Sequence, residues 1–144
     1  MKKTLFTLMV ISIAATALAA CKPSAPQIEV TGAWVRPDPL MENGAGYLLI
    51  TNTGGSPDFL VGVSSDIAKM TSAHQSVMDG DVHKMIAVPN LEIPAGGQVE
   101  FKPMSYHVML MGLSSDLEYG QFVTLTLTFE VSGEIKVQAE VRKE

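Results

Sequence analysis

Short runs in which apolar and polar residues alternate follow one another along most of the chain. The clearest spans residues 122–129, where aliphatic side chains alternate with threonines. Residues 135–141 alternate in the same way with charged and amide side chains, after a turn signal at Ser132-Gly133. Period-two alternation places successive side chains on opposite faces of a β-strand. Residues 135–141 therefore predict a strand with one buried face and one solvent-exposed face.

Further runs rich in β-branched and aromatic residues are separated by Gly, Pro, Asn and Asp. They predict strands at residues 28–35, 47–51, 59–64, 70–78, 82–88, 99–102 and 106–111. The predicted fold class is therefore all-β, an antiparallel sandwich or barrel of about eight to nine strands. Helix is scarce in this pattern, with at most one turn near residues 65–69.

The N-terminus departs from this pattern. Lys2 and Lys3 precede a continuous apolar run that ends in small residues, which predicts a secretory signal peptide over residues 1–20. Leu18-Ala19-Ala20-Cys21 resembles the lipobox of bacterial lipoproteins, in which the cysteine is acylated and becomes the first mature residue. The alternative is an ordinary signal cleaved near Ala20, which would leave a free thiol.

Acylation of Cys21 would anchor the mature chain to a membrane on the extracytoplasmic (periplasmic) side. Residues 21–27 then form a short extended tether, and residues 28–144 form one folded domain. With its only cysteine in the anchor, the domain contains none. Disulfides, thiolate catalysis and cysteine metal sites are therefore excluded from it.

Charge and motif content narrow the function classes. The chain has 10 Lys and Arg against 15 Asp and Glu, and a surface of that sign disfavours nucleic acid as a partner. The common catalytic and nucleotide-binding motifs are missing from the sequence, so we do not expect an enzyme. The unusual feature is 9 Met and 3 His, several of which fall into two groups, at residues 74–85 and 104–111.

The first group lies on a predicted hairpin, with Asp79-Gly80 as its two-residue turn. In that register His74 lies directly opposite Met85. The two side chains would point to one face, with Cβ atoms about 4.5–5.5 Å apart. Two ligands could therefore meet one metal ion. A three-residue turn would instead place Met85 opposite Gln75.

In the second group, His107 and Met109 share a face, because residues i and i+2 of a strand point the same way. Met111 continues that face as a further candidate ligand or as a hydrophobic rim. Imidazole and thioether without thiolate suit soft Cu(I) best, and thioether is a poor zinc ligand. A blue-copper centre would need a cysteine in the domain. We expect four further methionines, Met41, Met70, Met78 and Met104, mainly to fill gaps in the core.

The spacing H-x10-M-x21-H-x-M resembles that of the periplasmic copper chaperones called PCuAC, the Cu-A chaperone family. Supporting stretches lie at residues 33–37, 62–65, 93–96, 106–113 and 125–129. The resemblance implies a cupredoxin-like β-sandwich that binds one Cu(I) through His74, Met85, His107 and Met109. It also implies delivery of copper to the Cu-A centre of cytochrome c oxidase, directly or through another copper chaperone. Such a protein is a carrier and not an enzyme.

Two alternatives stay open at this point. One is a lipid-anchored, copper-independent interaction domain whose Met and His face packs against a protein partner. The other is a Zn(II) or Cu(II) buffer that uses His74, His83 and His107. The buffer predicts metal binding that survives replacement of the methionines and fails when His83 is changed.

Overall fold

The computed structural model describes residues 23–143, and this part of the chain contains ten β-strands. They are β1 (Ile28–Pro37), β2 (Asn43–Asn52), β3 (Asp58–Ser65), β4 (Ala68–Asp79), β5 (Val82–Ala87), β6 (Leu91–Ile93), β7 (Gln98–Phe101), β8 (Tyr106–Leu113), β9 (Phe122–Phe129) and β10 (Gly133–Val141). The all-β prediction is confirmed. The strand that was not predicted is β6, which is too short to show alternation. The predicted signal peptide and Cys21 lie outside the described residues.

One sheet contains all ten strands, in the order β5-β4-β8-β7-β2-β1-β10-β9-β3-β6, with β8 also pairing with β2. The pairs are antiparallel except β1 with β10 and β7 with β8. The sheet curls until β3 lies against β4, where the Thr71 hydroxyl donates to the Val63 carbonyl. Its two halves therefore enclose a core between them. Within residues 23–143 no helix is long and apolar enough to cross a membrane.

The core orients the strand that carries the second Met and His group. Val108 and Leu110 of β8 are fully buried and pack in one cluster with Leu125 and Leu127 of β9. Gly46 of β2 permits this close packing, because an added Cβ would lie 3.2 Å from the Val108 Cβ. Since the even-numbered residues of β8 are fixed in the core, its odd-numbered residues point to the other face of the sheet.

Asp58, at the start of β3, is fully buried. Its carboxylate accepts hydrogen bonds from the backbone N–H groups of Phe59 (2.8 Å), Val131 (2.9 Å) and Ser132 (2.9 Å), and from the Ser132 hydroxyl. Burial alone would raise the pKa of Asp58, but these hydrogen bonds outweigh it and hold the pKa below its ordinary value. The carboxylate therefore ties β3 to the β9–β10 turn.

The expectation that Met70, Met78 and Met104 fill the core is wrong. Their exposed fractions are 64%, 58% and 66%. On β4 the buried residue is Ala73, so the even-numbered positions, with Met70 and Met78 among them, face away from the core. Met104 lies in the β7–β8 loop with a φ of 63°. The outer face of the sheet is therefore richer in thioethers than expected.

The residues just before β1 run along the loop that follows β2. The Gly55 N–H donates to Ser24 Oγ (2.8 Å), and the Thr53 N–H donates to the Gln27 carbonyl (2.9 Å). An added Cβ on Gly54 would lie within 2.6 Å of this backbone. The described end of the predicted tether is therefore in contact with the domain.

Candidate metal centre

Two imidazoles face each other where β4 and β8 pair. His74 lies directly opposite His107 in the register, and their ring centroids are 5.9 Å apart at an interplanar angle of 73°. A metal ion about 2.0–2.1 Å from an imidazole nitrogen lies about 3.2 Å from the ring centre, so two rings up to about 6.4 Å apart can share one ion. The separation of this pair fits a shared ion.

The tautomer of His107 is set by its neighbour. His107 is 5% exposed, and its Nδ1 lies 3.2 Å from the carbonyl oxygen of Ser105. Because a carbonyl only accepts, Nδ1 carries the hydrogen, and in the neutral ring Nε2 keeps its lone pair. That Nε2 is buried without a hydrogen-bond partner among the described residues. Leaving such an atom unpaired costs about 1–3 kcal/mol, and a bound metal ion would remove this cost.

In His74 the ring nitrogen available to a metal ion is Nδ1, whereas in His107 it is Nε2. The Nε2 of His74 lies 3.0 Å from Ser72 Oγ, and its Nδ1 is buried with no hydrogen-bond partner in residues 23–143. When Nε2–H donates to the hydroxyl, the lone pair of Nδ1 is free. Burial, and after it the proximity of His107, lowers the pKa of His74. The neutral form that a metal requires is therefore favoured at neutral pH.

The two predicted methionine ligands flank the imidazole pair on opposite sides. Met109 pairs with Ser72 of β4, and Met85 of β5 pairs with Ser76. All four side chains share the outer face. In a flat sheet, strand rise and strand spacing would put the Cα atoms of Met85 and Met109 about 16 Å apart.

Two thioethers on one ion need their Cα atoms within about 12 Å, since the sulfur reaches about 4 Å from Cα and a metal–sulfur bond adds about 2.3 Å. In this register, therefore, Met85 and Met109 can each lie beside the imidazole pair, but a flat sheet would not let them share one ion.

The predicted hairpin register is wrong by two residues. Asp79 pairs with Val82, so Gly80 and Asp81 form the turn, and Met85 lies opposite Ser76 instead of His74. Gly80 has a φ of 61° and Asp81 does not have a positive φ, as in a type II′ turn with glycine in the first central position. Asp-Gly in a type I′ turn and Gly-Asp in a type II′ turn are both favoured two-residue connections. Turn chemistry alone therefore did not distinguish them.

His83 lies apart from the other two histidines. It pairs with Met78 near the end of the hairpin, whereas His74 pairs with Ala87. No group of three or more His, Cys, Asp or Glu in residues 23–143 is placed to hold a metal ion. Because His83 lies away from His74, this placement counts against the buffer built on three histidines.

Sequence reasoning missed two further features of the site. It did not place β4 beside β8, so the direct pairing of His74 with His107 was not predicted. It also missed Ser72 and Ser105, which hydrogen-bond the imidazoles. The available signal for Ser72 was its position two residues before His74, on the same strand face.

The sequence matches the LpqE-like family, described as "Putative lipoprotein LpqE-like", over residues 28–141. It is 33% identical over 107 residues to "Putative lipoprotein Lxx21020" of Leifsonia xyli subsp. xyli, which covers 71% of this chain and 61% of that protein. It is 31% identical over 113 residues to "Uncharacterized protein RP573" of Rickettsia prowazekii, with coverages of 75% and 62%. The matches thus span less than two thirds of either relative.

Two solved structures have a similar fold. The solution structure of CuI-DR1885 from Deinococcus radiodurans has a TM-score of 0.64 and 31% identity, covering 92% of this chain and 87% of its own. The copper-bound PCuAC domain from PmoF2 has a TM-score of 0.68 and 25% identity, covering 85% of this chain and 99% of its own. The fold is therefore that of PCuAC domains, as the spacing of His and Met suggested.

Proposed function

The chain belongs to the LpqE-like family and has the PCuAC fold, and from that premise we propose that it binds one Cu(I) on the outer face of β4, β5 and β8 and carries it to an acceptor outside the cytoplasm. The observation that carries this proposal is the facing pair His74 and His107. Each has a buried ring nitrogen without a partner among residues 23–143, and thioethers flank the pair on the same face.

The proposed ligands are His74, Met85, His107 and Met109. All four are neutral donors of the kind that soft Cu(I) prefers, and they can yield the ion to thiolates on an acceptor. The proposed acceptor is the Cu-A centre of cytochrome c oxidase or another copper chaperone. The protein is a carrier, held at the extracytoplasmic face of a membrane through acylated Cys21. The Cu(I) in the name of the DR1885 structure supports this choice of metal.

Met85 reaches the site through a change in hairpin register. If β5 slides by two residues against β4, every side chain keeps its face, and residues 78–81 form a four-residue loop, because only the odd-numbered residues of β4 direct their hydrogen bonds to β5. Met85 then lies directly opposite His74. The Cα atoms of Met85 and Met109 come within about 12 Å in a flat sheet, which is the limit for sharing one ion.

The contacts that oppose this slide are few: the Val88 N–H, just after β5, donates to the Ala73 carbonyl (2.8 Å), and Val88 packs against the core. All six residues of β5 are exposed, and β5 is an edge strand that pairs only with β4. No strand residue leaves the core. The slide breaks the exposed ion pair between Lys84 and Asp79, a contact of a kind that contributes about 0–1 kcal/mol. Residues 88–90, which connect β5 to β6, would have to accommodate the two-residue displacement.

The proposal is tested by titrating the mature protein with Cu(I) in competition with a chromophoric chelator. We expect one tightly held Cu(I) per chain, and its loss in the double variant Met85→Leu, Met109→Leu. Met104→Leu is the matched control, because Met104 is as exposed as Met85 but lies in a loop outside the site. If the unaltered protein does not compete for Cu(I), the carrier proposal fails and the copper-independent interaction domain is the better account.

A further inference from the structure

Three methionines gather on the outer face just beyond the imidazole pair. Met70 of β4 lies directly opposite Met111 of β8, and Met109 is two residues along β8. In a flat sheet, the Cα separations within this trio are about 5, 7 and 8 Å. All three fall well inside the limit of about 12 Å for thioethers that share one ion. The trio is therefore more compact than the set that includes Met85.

These side chains are not needed for the core. Their strand neighbours Ala73, Val108 and Leu110 fill it from the opposite face. Met70 is 64% exposed, and Met111 is half-buried. A paired set of exposed thioethers on the sheet surface therefore contributes little to folding, but it leaves polarizable sulfur accessible to a ligand.

The position of the trio is fixed by the same packing. The register of β4 against β8 is held where Ala73 pairs with Val108 and Thr71 pairs with Leu110, and three of these four residues belong to the core or touch it. Unlike Met85, which sits on an edge strand, Met70 and Met111 need no rearrangement to approach one another. The site is preorganised as far as its backbone is concerned.

Among residues 23–143, the immediate surroundings provide no other soft donor. Beside Met111 on β2 lies Asn43, whose amide already accepts a hydrogen bond from the Gly112 N–H and donates one to Asp38. The donor set is therefore thioether only. Such a set selects Cu(I) over Zn(II) and over hard cations.

We propose that Met70, Met109 and Met111 form a second, thioether-only Cu(I) position that shares Met109 with the imidazole site. The identity of the metal rests on the proposed function. Transfer between the positions is ligand exchange: copper keeps its bond to Met109, forms bonds to the sulfurs of Met70 and Met111, and gives up those to His74, Met85 and His107. The ion stays Cu(I), and both imidazoles stay neutral, so no electron or proton is transferred. Because Met70 is exposed, a partner's ligands can reach this position.

The test is NMR of the protein labelled with ε-¹³C-methionine, titrated anaerobically with Cu(I) and, in a parallel series, with Ag(I) as a redox-inert soft ion. In the first equivalent we expect the Met85 and Met109 methyl signals to shift. In a second, weaker phase the Met70 and Met111 signals shift, and Met109 shifts again. The double variant Met70→Leu, Met111→Leu loses the second phase and keeps the first.

The matched control is the double variant Met78→Leu, Met104→Leu, which removes two equally exposed methionines outside the trio and is expected to keep both phases. Stationary Met70 and Met111 signals through two equivalents, with Met109 responding, would overturn this inference alone. If no methionine signal and no imidazole signal responds to the first equivalent, the proposed function fails as well, so the two failures are distinguishable.

Discussion

The β4–β5 turn offers a direct way to shift Cu(I) affinity without touching a ligand. Asn-Gly is the strongest two-residue signal for a type I′ turn. The double variant Gly80→Asn, Asp81→Gly places that signal at positions 80–81 and holds the register of the described structure.

The size of the effect follows from the contacts that change. The slide loses one exposed ion pair and about one ladder hydrogen bond, together about 1–2 kcal/mol. Apparent affinity scales with the population of the competent register. A change of about 1 kcal/mol in turn preference alters that population about fivefold. We therefore expect the double variant to bind Cu(I) about fivefold more weakly than the unaltered protein.

The assay is the competition titration, supported by cross-strand Hα–Hα nuclear Overhauser effects that report the register. Lys84→Gln is the control, because it removes the ion pair that the slide breaks without changing the turn, and it should not weaken binding. We expect the Overhauser partner of Met85 to change from Ser76 to His74 when copper binds. If the double variant binds within twofold of the unaltered protein and the partner of Met85 stays Ser76, the register argument is refuted.

Three other predictions concern single positions. Met85→Leu should change the free energy of unfolding by no more than about 0.5 kcal/mol, since Met85 is exposed. Its Cu(I) affinity should fall at least about tenfold, a loss of about 1.4 kcal/mol in binding free energy. An affinity equal to that of the unaltered protein would remove Met85 from the ligand set. Asp58→Asn should lower the free energy of unfolding by about 2–4 kcal/mol in urea titrations, because four donors lose a carboxylate. The contribution of the Asp58 carboxylate to the free energy of unfolding is complete above about pH 3.9 and is lost as pH falls through its lower folded-state pKa. An Asp58→Asn variant as stable as the unaltered protein at pH 7 would contradict this role. Because the pKa of His74 is lowered in the fold, the unfolded chain takes up that proton first, so the copper-free protein should lose stability as pH falls below about 6.5. His74→Leu should flatten that slope in urea titrations run from pH 8 to pH 5, and an unchanged slope would show that His74 is not its cause.

Most of the strands were predictable because one of their faces packs on the core. Residues 122–129 alternate because β9 buries every second side chain. The strand β6 was missed because three residues show no period. Exposure of Met70 and Met78 was missed for a different reason: methionine is common in cores, and only the position of Ala73 in the core shows which face of β4 is outer.

The ligand spacing was visible in the sequence, and the fold explains it. His74 to Met85 spans one hairpin, and His107 with Met109 lies on one strand face. The long interval between Met85 and His107 lets β6 and β7 pair elsewhere in the sheet before β8 returns beside β4. No local signal reports that return, so the direct opposition of His74 and His107 required the structure.

The claim that both imidazoles hold one copper ion is tested most directly by ¹⁵N NMR of the histidine side chains during Cu(I) titration. One equivalent should move the signals of His74 Nδ1 and His107 Nε2 together, with the protonated nitrogen of His107 remaining Nδ1 and with His83 unchanged. A titration in which neither signal responds, or in which only His83 responds, would contradict the account.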